Sequence, residues 1–310
     1  MNFENVMRIK EIIASRIIKD TLIKSLTGIC VLLIIFIIVS VLIVVLIGGW
    51  KNLTWEFLTE FPQEGMTRGG IFPAIVGTAL MTLMMTIAAV PFGAVTAIYL
   101  AEYASEKSIF AKTIRFAVKT LAVVPSIIFG LFGLGFFIKF VGFHLDNIIY
   151  RGELKWGQPN ILWASLTMAL LTLPVVIVSV EEAIRTIPKD MREASLALGA
   201  TRWQTIKKVV LPGSYTGILT GTILAISRGA GEVAPILFTG AAYYLADLPH
   251  SLSDQFMSLG YHIYIMSTQS TNVDETLPIQ FATTLVLLLL TFSLSMIAVI
   301  LRYRIRKKAI

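Results

Sequence analysis

The sequence predicts an all-α integral membrane protein with six transmembrane helices and both termini in the cytoplasm. Three observations carry that expectation. Of 310 residues, 56% are hydrophobic and 15% charged, against about 25% charged in an ordinary soluble domain. The runs 25–50, 71–101, 156–180 and 276–301 contain no Asp, Glu, Lys or Arg, and each exceeds the ~20 residues a helix needs to cross the hydrocarbon. Two more runs, 120–138 and 209–246, complete the set, the second interrupted by Arg228 and Glu232. Finally, of 26 Lys and Arg, twenty fall in 1–24, 102–119, 181–208 and 302–308, and four (Lys51, Arg68, Arg151, Lys155) on the opposite side. Basic loops stay inside, which orients the chain. The net charge of +7 is thus a topology signal and does not argue for nucleic acid.

The elements follow in order. Residues 1–25 form an N-terminal cytoplasmic amphipathic segment. Val6, Ile9, Ile13 and Ile17 recur at helical spacing with Arg8, Lys19 and Lys24 between or after them, the pattern of a helix lying on the inner surface. The apolar run after it is too long for a signal peptide and lacks a small-residue cleavage site. Residues 26–310 form one transmembrane domain, with spans near 26–48, 71–100, 118–139, 160–180, 212–245 and 277–301. Loops at 49–70, 141–159 and 246–276 face outward; 101–117 and 181–211 face inward. No internal repeat is evident, so any two-fold symmetry needs a second chain. Cys30 is the single cysteine, which excludes a disulfide framework and a thiolate metal site.

Several spans carry helix breakers: Pro91-Phe-Gly93, Pro125, Gly130 to Gly135, Pro174, and Gly229 to Pro235. Small residues let helices pack closely, and Gly213, Gly217 and Gly221 make a ridge for that purpose. Breakers also free backbone to line a water-filled path. No Walker A pattern occurs, so if ATP drives this protein another subunit binds it. No grouping of nucleophile and base, and no metal-ligand cluster, points to an enzyme.

The inward loop 181–212 reads EEAIRTIPKDMREASLALGATRWQTIKKVVLP. Pro188 suits the first turn of a helix, Met191, Ala194 and Leu198 share a face, and Gly199 suits the C′ position. Thr201 and Gln204 match a capping box for a second helix striped by Trp203, Ile206 and Val210, with Pro212 marking entry to the next span. Such a pair of helices either lies on the membrane surface or fits a groove on a partner.

Glu193-Ala194-Ser195, then Gly199, then Val209-x-Leu211-Pro212, resembles the EAA loop of ABC-importer permeases, with Ser195 in place of the second Ala and Val209 in place of Ile. The stretches GGIFPAIVGT (69–78), YLAEYA (99–104), VPSIIFGLFG (124–133) and GILTGTILAISRGAGEVAPILFTG (217–240) extend the likeness to phosphate permeases of the PstA type. The resemblance implies the type I importer permease (MetI-like) fold in the plasma membrane. It implies that Glu193, Ala194, Ser195, Gly199, Trp203, Leu211 and Pro212 couple to PstB-type ATPase subunits, which carry the ATP-Mg. A homologous PstC-type permease chain and a PstS-type extracytoplasmic phosphate-binding protein are the other expected partners; no cofactor is expected in this chain itself.

Arg228 and Glu232 stand four apart at membrane depth, where a charge costs ~2.5–3.5 kcal/mol even on the lenient insertion scale. On a continuous helix they share a face, about 24 Å into the span counted from Pro212. One reading is a neutralising pair that staples the bundle. The other puts Arg228 on the substrate path, its fork of donors matching an oxyanion, with Glu232 holding it and Gly229, Gly231 and Pro235 as the hinge. Permeases for sulfate or molybdate, and a proton-coupled carrier titrating Glu232, are the alternatives.

Overall fold

The computed structural model describes residues 3–63, 68–105, 107–245, 247–270 and 273–308, and six of its helical runs are long and apolar enough to cross a membrane. The first, α1 (Phe3–Gly49), is unbroken. The expected change near residue 25 from a surface helix to a span is absent, since no Gly or Pro precedes Gly28 to interrupt the helix. The stripe of Val6, Ile9, Ile13 and Ile17 lies outside the residues whose side chains are described. After α1 come α2 (Trp55–Thr59) and a two-residue antiparallel pairing of β1 (Pro62–Gln63) with β2 (Arg68–Gly69).

Helix α3 (Phe72–Ile98) ends in a π-helical turn, Tyr99–Tyr103. The third crossing is bent. Here α4 (Ile109–Val123) stops where Val124 turns extended before Pro125, and α5 (Ser126–Phe132) resumes and runs through a π-helical stretch into α6 (Phe143–Ile149). A residue before proline is pushed out of the helical region, so the expected span 118–139 is two helices in series. It still runs beside α7 (Ile161–Arg185): Arg115 pairs with Glu181 at 3.1 Å near the end of α7, and Phe137 stacks on Trp163 at 5.5 Å near its start.

Helix α7 is the centre of the bundle. Two thirds of its apolar window (67%) is buried, against 0% for α1, so α1 stands at the periphery and packs on α13 (Val273–Lys308), with Gly48 and Gly49 against Phe281 and Ala282. Gly93 brings α3 against Val176 of α7. The ridge of Gly213, Gly217 and Gly221 packs on Ile187, Ala183 and Ser179, the close approach that small residues permit.

The second half departs most from expectation. After α8 (Lys189–Ala197), α9 (Arg202–Thr205) passes through a π-helical turn, Ile206–Val210, into α10 (Leu211–Gly231) without a stop at Pro212. The π turn absorbs the amide that proline lacks. The helix of the fifth crossing therefore begins near Arg202 and ends at Gly231, partway along α3 and α7, and does not run on to 245. Then come α11 (Ile236–Thr239), a segment folded back onto the bundle, and α12 (Leu259–Thr268), a helix inside the stretch expected to be loop. The returning segment caps α7: Ile161 and Leu162 donate to the Asp254 and Leu252 carbonyls, and the Asn160 side chain accepts from Trp163. Those amides have no partner inside the helix. Phe256 fills the core between Met81, Met85 and Met168.

Candidate functional site

The site is built by a helix that stops halfway. Gly229 of α10 lies against Met85 and Thr172, which stand midway along α3 and α7. Two residues later α10 ends: Glu232 is extended (φ −78°, ψ 136°). The expected hinge residues bracket the break, with Gly229 buried against α3, Gly231 closing the helix and Pro235 opening α11. The chain beyond packs on α5, where Gly130 meets Pro235 and Phe238, and Gly133 meets Thr239. The break at Pro125 directly precedes α5, so two interrupted helices meet at mid-depth. Non-helical backbone is tolerated there only inside protein or beside water.

Arg228 occupies the last turn of α10, level with the middles of α3 and α7, because the adjoining Gly229 lies against Met85 and Thr172. Glu232 lies past the helix end, so the two do not share a helical face. The Nε to Oε1 distance is 3.9 Å, with the side chains 39% and 26% exposed. At that separation the contact is Coulombic and too long for a hydrogen bond. The guanidinium keeps its fork of donors for another oxygen-rich group. Arg228, Leu224 and Gly231 are exposed along one stripe of α10, and a Cβ added at Gly231 would meet nothing within 4 Å. Open space therefore adjoins the break. Ser227, exposed beside Arg228 on this face, is tied to Ser295 of α13, Oγ to Oγ 3.1 Å.

Sequence reasoning missed the polar groups that surround the break. At the start of α12, the Leu259 amide donates to Thr78 Oγ1 at 2.9 Å, and Gly260 abuts Val233 and lies near the Gly231 carbonyl. Thr82 Oγ1, one turn along α3 from Thr78, and both ring nitrogens of His262 are buried without a hydrogen-bond partner. Thr82 lies inside an apolar run and His262 inside a stretch read as loop, so no local pattern marked them.

The loop at the Lys/Arg-rich end forms a knob. Gly199 takes φ +83° at the C′ position, as its place in the sequence requires, and Thr201 and Gln204 form the reciprocal capping box. Ser195 Oγ lies 2.9 Å from Thr205 Oγ1, holding α8 to the following helix. Glu193 and Ala194 are exposed, and Met191, Leu198 and Trp203 present apolar surface, with Leu198 90% exposed. Leu211 and Pro212 stand apart from the knob, at the foot of α10.

Comparison with known proteins bears on these features. Residues 89–307 match the family described as binding-protein-dependent transport system inner membrane component. A probable ABC transporter permease protein, YqgI, of Bacillus subtilis (strain 168) is 33% identical over 225 residues, covering 73% of this chain and 71% of that protein. The phosphate transport system permease protein PstA of Yersinia pestis is 36% identical over 212 residues, covering 68% of this chain and 62% of its own length. In fold, a bacterial alginate ABC transporter crystallised with an alginate-bound periplasmic protein aligns with a TM-score of 0.65 at 17% identity, over 90% of this chain and 93% of that one. A helical bundle with six candidate spans, matched over most of its length by these permeases, belongs to the binding-protein-dependent transport system inner membrane component family, and the chain is a multi-pass membrane permease subunit.

Proposed function

We propose that this chain is a permease subunit of an ATP-driven importer that moves inorganic phosphate into the cytoplasm. The observation that carries the reading is Arg228: a half-exposed cation at mid-depth, in the last turn of a helix that stops there, beside open space at Gly231. A charge in that position facing lipid would cost several kcal/mol, at least ~2.5, so the stripe faces protein or water. A guanidinium suits a tetrahedral oxyanion because it offers planar paired donors and stays charged. The PstA names of curated relatives support phosphate over other oxyanions.

In this reading the Lys/Arg-rich end is cytoplasmic, along with both termini. A PstB-type ATPase pair docks on the α8 knob, a homologous PstC-type chain covers the α10 stripe, and a PstS-type protein delivers phosphate from outside. Arg228 receives the ion, and Glu232, close but not hydrogen-bonded, offsets the charge of the empty site. One loosely held arginine is a weak trap. Weakness serves passage, because a nanomolar site, about 12 kcal/mol deep, would release its ion too slowly.

The test is Arg228→Gln in the assembled complex, reconstituted in vesicles with the binding protein. ATP-driven uptake of radiolabelled phosphate should be lost while the complex still assembles. Failure to assemble would show instead that Arg228 staples the bundle. Uptake blocked by sulfate or molybdate as effectively as by unlabelled phosphate would reassign the cargo. Uptake that survives ATP depletion and collapses with the proton gradient would make the protein a carrier.

A further inference from the structure

Outside the substrate path, one ion pair ties the knob to the membrane helices. Arg192 of α8 donates from Nε and Nη2 to Glu102 Oε1 at 3.0 and 2.8 Å. The same guanidinium donates to the Ile184 carbonyl at 2.8 Å and to the Ile187 carbonyl, near the end of α7. The two side chains are 19% and 12% exposed, at one wall of a groove of about 530 Å³ between α8, the ends of α3 and α7, and Arg115 of α4. Glu102 stands in the π-helical turn that closes α3. Such turns interrupt the regular ladder and recur at functional sites.

The pair matters because α8 has little else to hold it. None of its residues is buried. Its inward face offers Arg192 and, one turn on, Ser195; the opposite face of Met191, Ala194 and Leu198 is exposed. Ser195 leads through Thr205 into the helix that becomes α10. Arg192 leads through Glu102 into α3. These helices meet again at mid-depth, where Met85 of α3 lies against Gly229, next to Arg228. A forked, charge-assisted contact fixes orientation as well as distance, whereas the hydroxyl pair is a single neutral bond. Packed contacts between rigid elements can carry coupling between distant sites, and this chain of contacts offers such a route.

We propose that Arg192 and Glu102 are the positioning link that carries movement of the knob into α3, and so to the helix end that holds Arg228. The inference rests on the importer reading, in which an ATPase moves α8, but one arm of its test needs no cargo. The variant is Glu102→Gln, which keeps the shape of the side chain and leaves the carbonyl contacts of Arg192 in place. In the complete complex with its ATPase, second permease chain and binding protein, assembly and ATP hydrolysis should persist. Phosphate transported per ATP should fall about fivefold or more, the lower bound of typical coupling between sites. In the second arm, spin labels at Ala197→Cys on α8 and Tyr103→Cys at the end of α3, in a Cys30→Ser background, report the separation of the two elements. That separation should be the same with and without ATP when Glu102 is present, and should change with ATP in Glu102→Gln.

An unchanged transport-to-hydrolysis ratio, or ATP-insensitive label distances in Glu102→Gln, overturns the link. So does loss of assembly, which would make the pair an assembly contact. If the unmodified complex hydrolyses ATP without moving phosphate, the cargo assignment fails on its own, and the label distances still decide the link.

Discussion

Arg228 stands in the last turn of α10, and a cation at a helix C-terminus gains about 0.3–1 kcal/mol, more where it is partly buried. The sequence showed the pair and its spacing but not this helix end, because the end of α10 depends on how Val233 and Pro235 meet α12 and α5. The glycines near the site divide by what surrounds them. An added Cβ at Gly217 would run into the Cβ of Ala183, which cannot move without its backbone, whereas at Gly231 it would enter open space, and Gly231 has no positive φ. Gly217→Ala should therefore destabilise the α7–α10 packing by about 1–3 kcal/mol, the usual cost of overfilling a close contact, seen as a lower midpoint of thermal unfolding. Gly231→Ala should leave that midpoint unchanged or raised, since alanine loses less backbone freedom in a helix end by about 0.5–1 kcal/mol. It should nevertheless slow phosphate uptake severalfold by stiffening the break. Full uptake in Gly231→Ala would remove Gly231 from the hinge.

Among the elements, the knob was the most legible, because its signals are local. A C′ glycine, a capping box and an apolar stripe are each decided within one or two turns, and Gly199, Thr201, Gln204 and Leu198 all stand where their types require. The breaks were less legible. Pro125 does bend its crossing, yet Pro91, Pro174 and Pro212 sit inside helices that continue, since packing and π turns re-satisfy the freed backbone. The sequence alone cannot rank one proline above another. Helix α12 and the buried Phe256 were hidden for a different reason: the segment that carries them is tied to α7 by Leu252 and Asp254, which cap residues about ninety positions away. Gly199→Val tests the knob as an element. A β-branched residue at positive φ costs roughly 1–3 kcal/mol of strain, which should misalign α8 with α9 while the spans stay folded. The expected result is an assembled complex whose ATP hydrolysis no longer responds to the phosphate-loaded binding protein. A normal response would detach this turn from coupling.

For the whole molecule, two exposed apolar surfaces ask for different surroundings. Along α1 after Lys24 most exposed side chains are Leu, Ile, Val and Phe, as far as Ile47, and none is charged, which suits hydrocarbon on every side. The α10 stripe of Leu224, Arg228 and Gly231 is also uncovered by this chain but carries a charge at mid-depth, and lipid is an unfavourable neighbour for it. A second permease chain across that stripe, with an aqueous route between the two, removes the conflict. Cysteine labelling separates these surfaces in one experiment. With Cys30→Ser as background, Leu224→Cys in the assembled complex should react with a charged, membrane-impermeant maleimide in at least one nucleotide state, and added phosphate should slow that reaction. Leu33→Cys on α1 should resist the charged reagent in every state and react only with an apolar one. If Leu224→Cys proves as silent toward the charged reagent as Leu33→Cys, the stripe is dry. Arg228 would then be held by protein rather than by passing ions, and the route for phosphate would have to run elsewhere in the bundle.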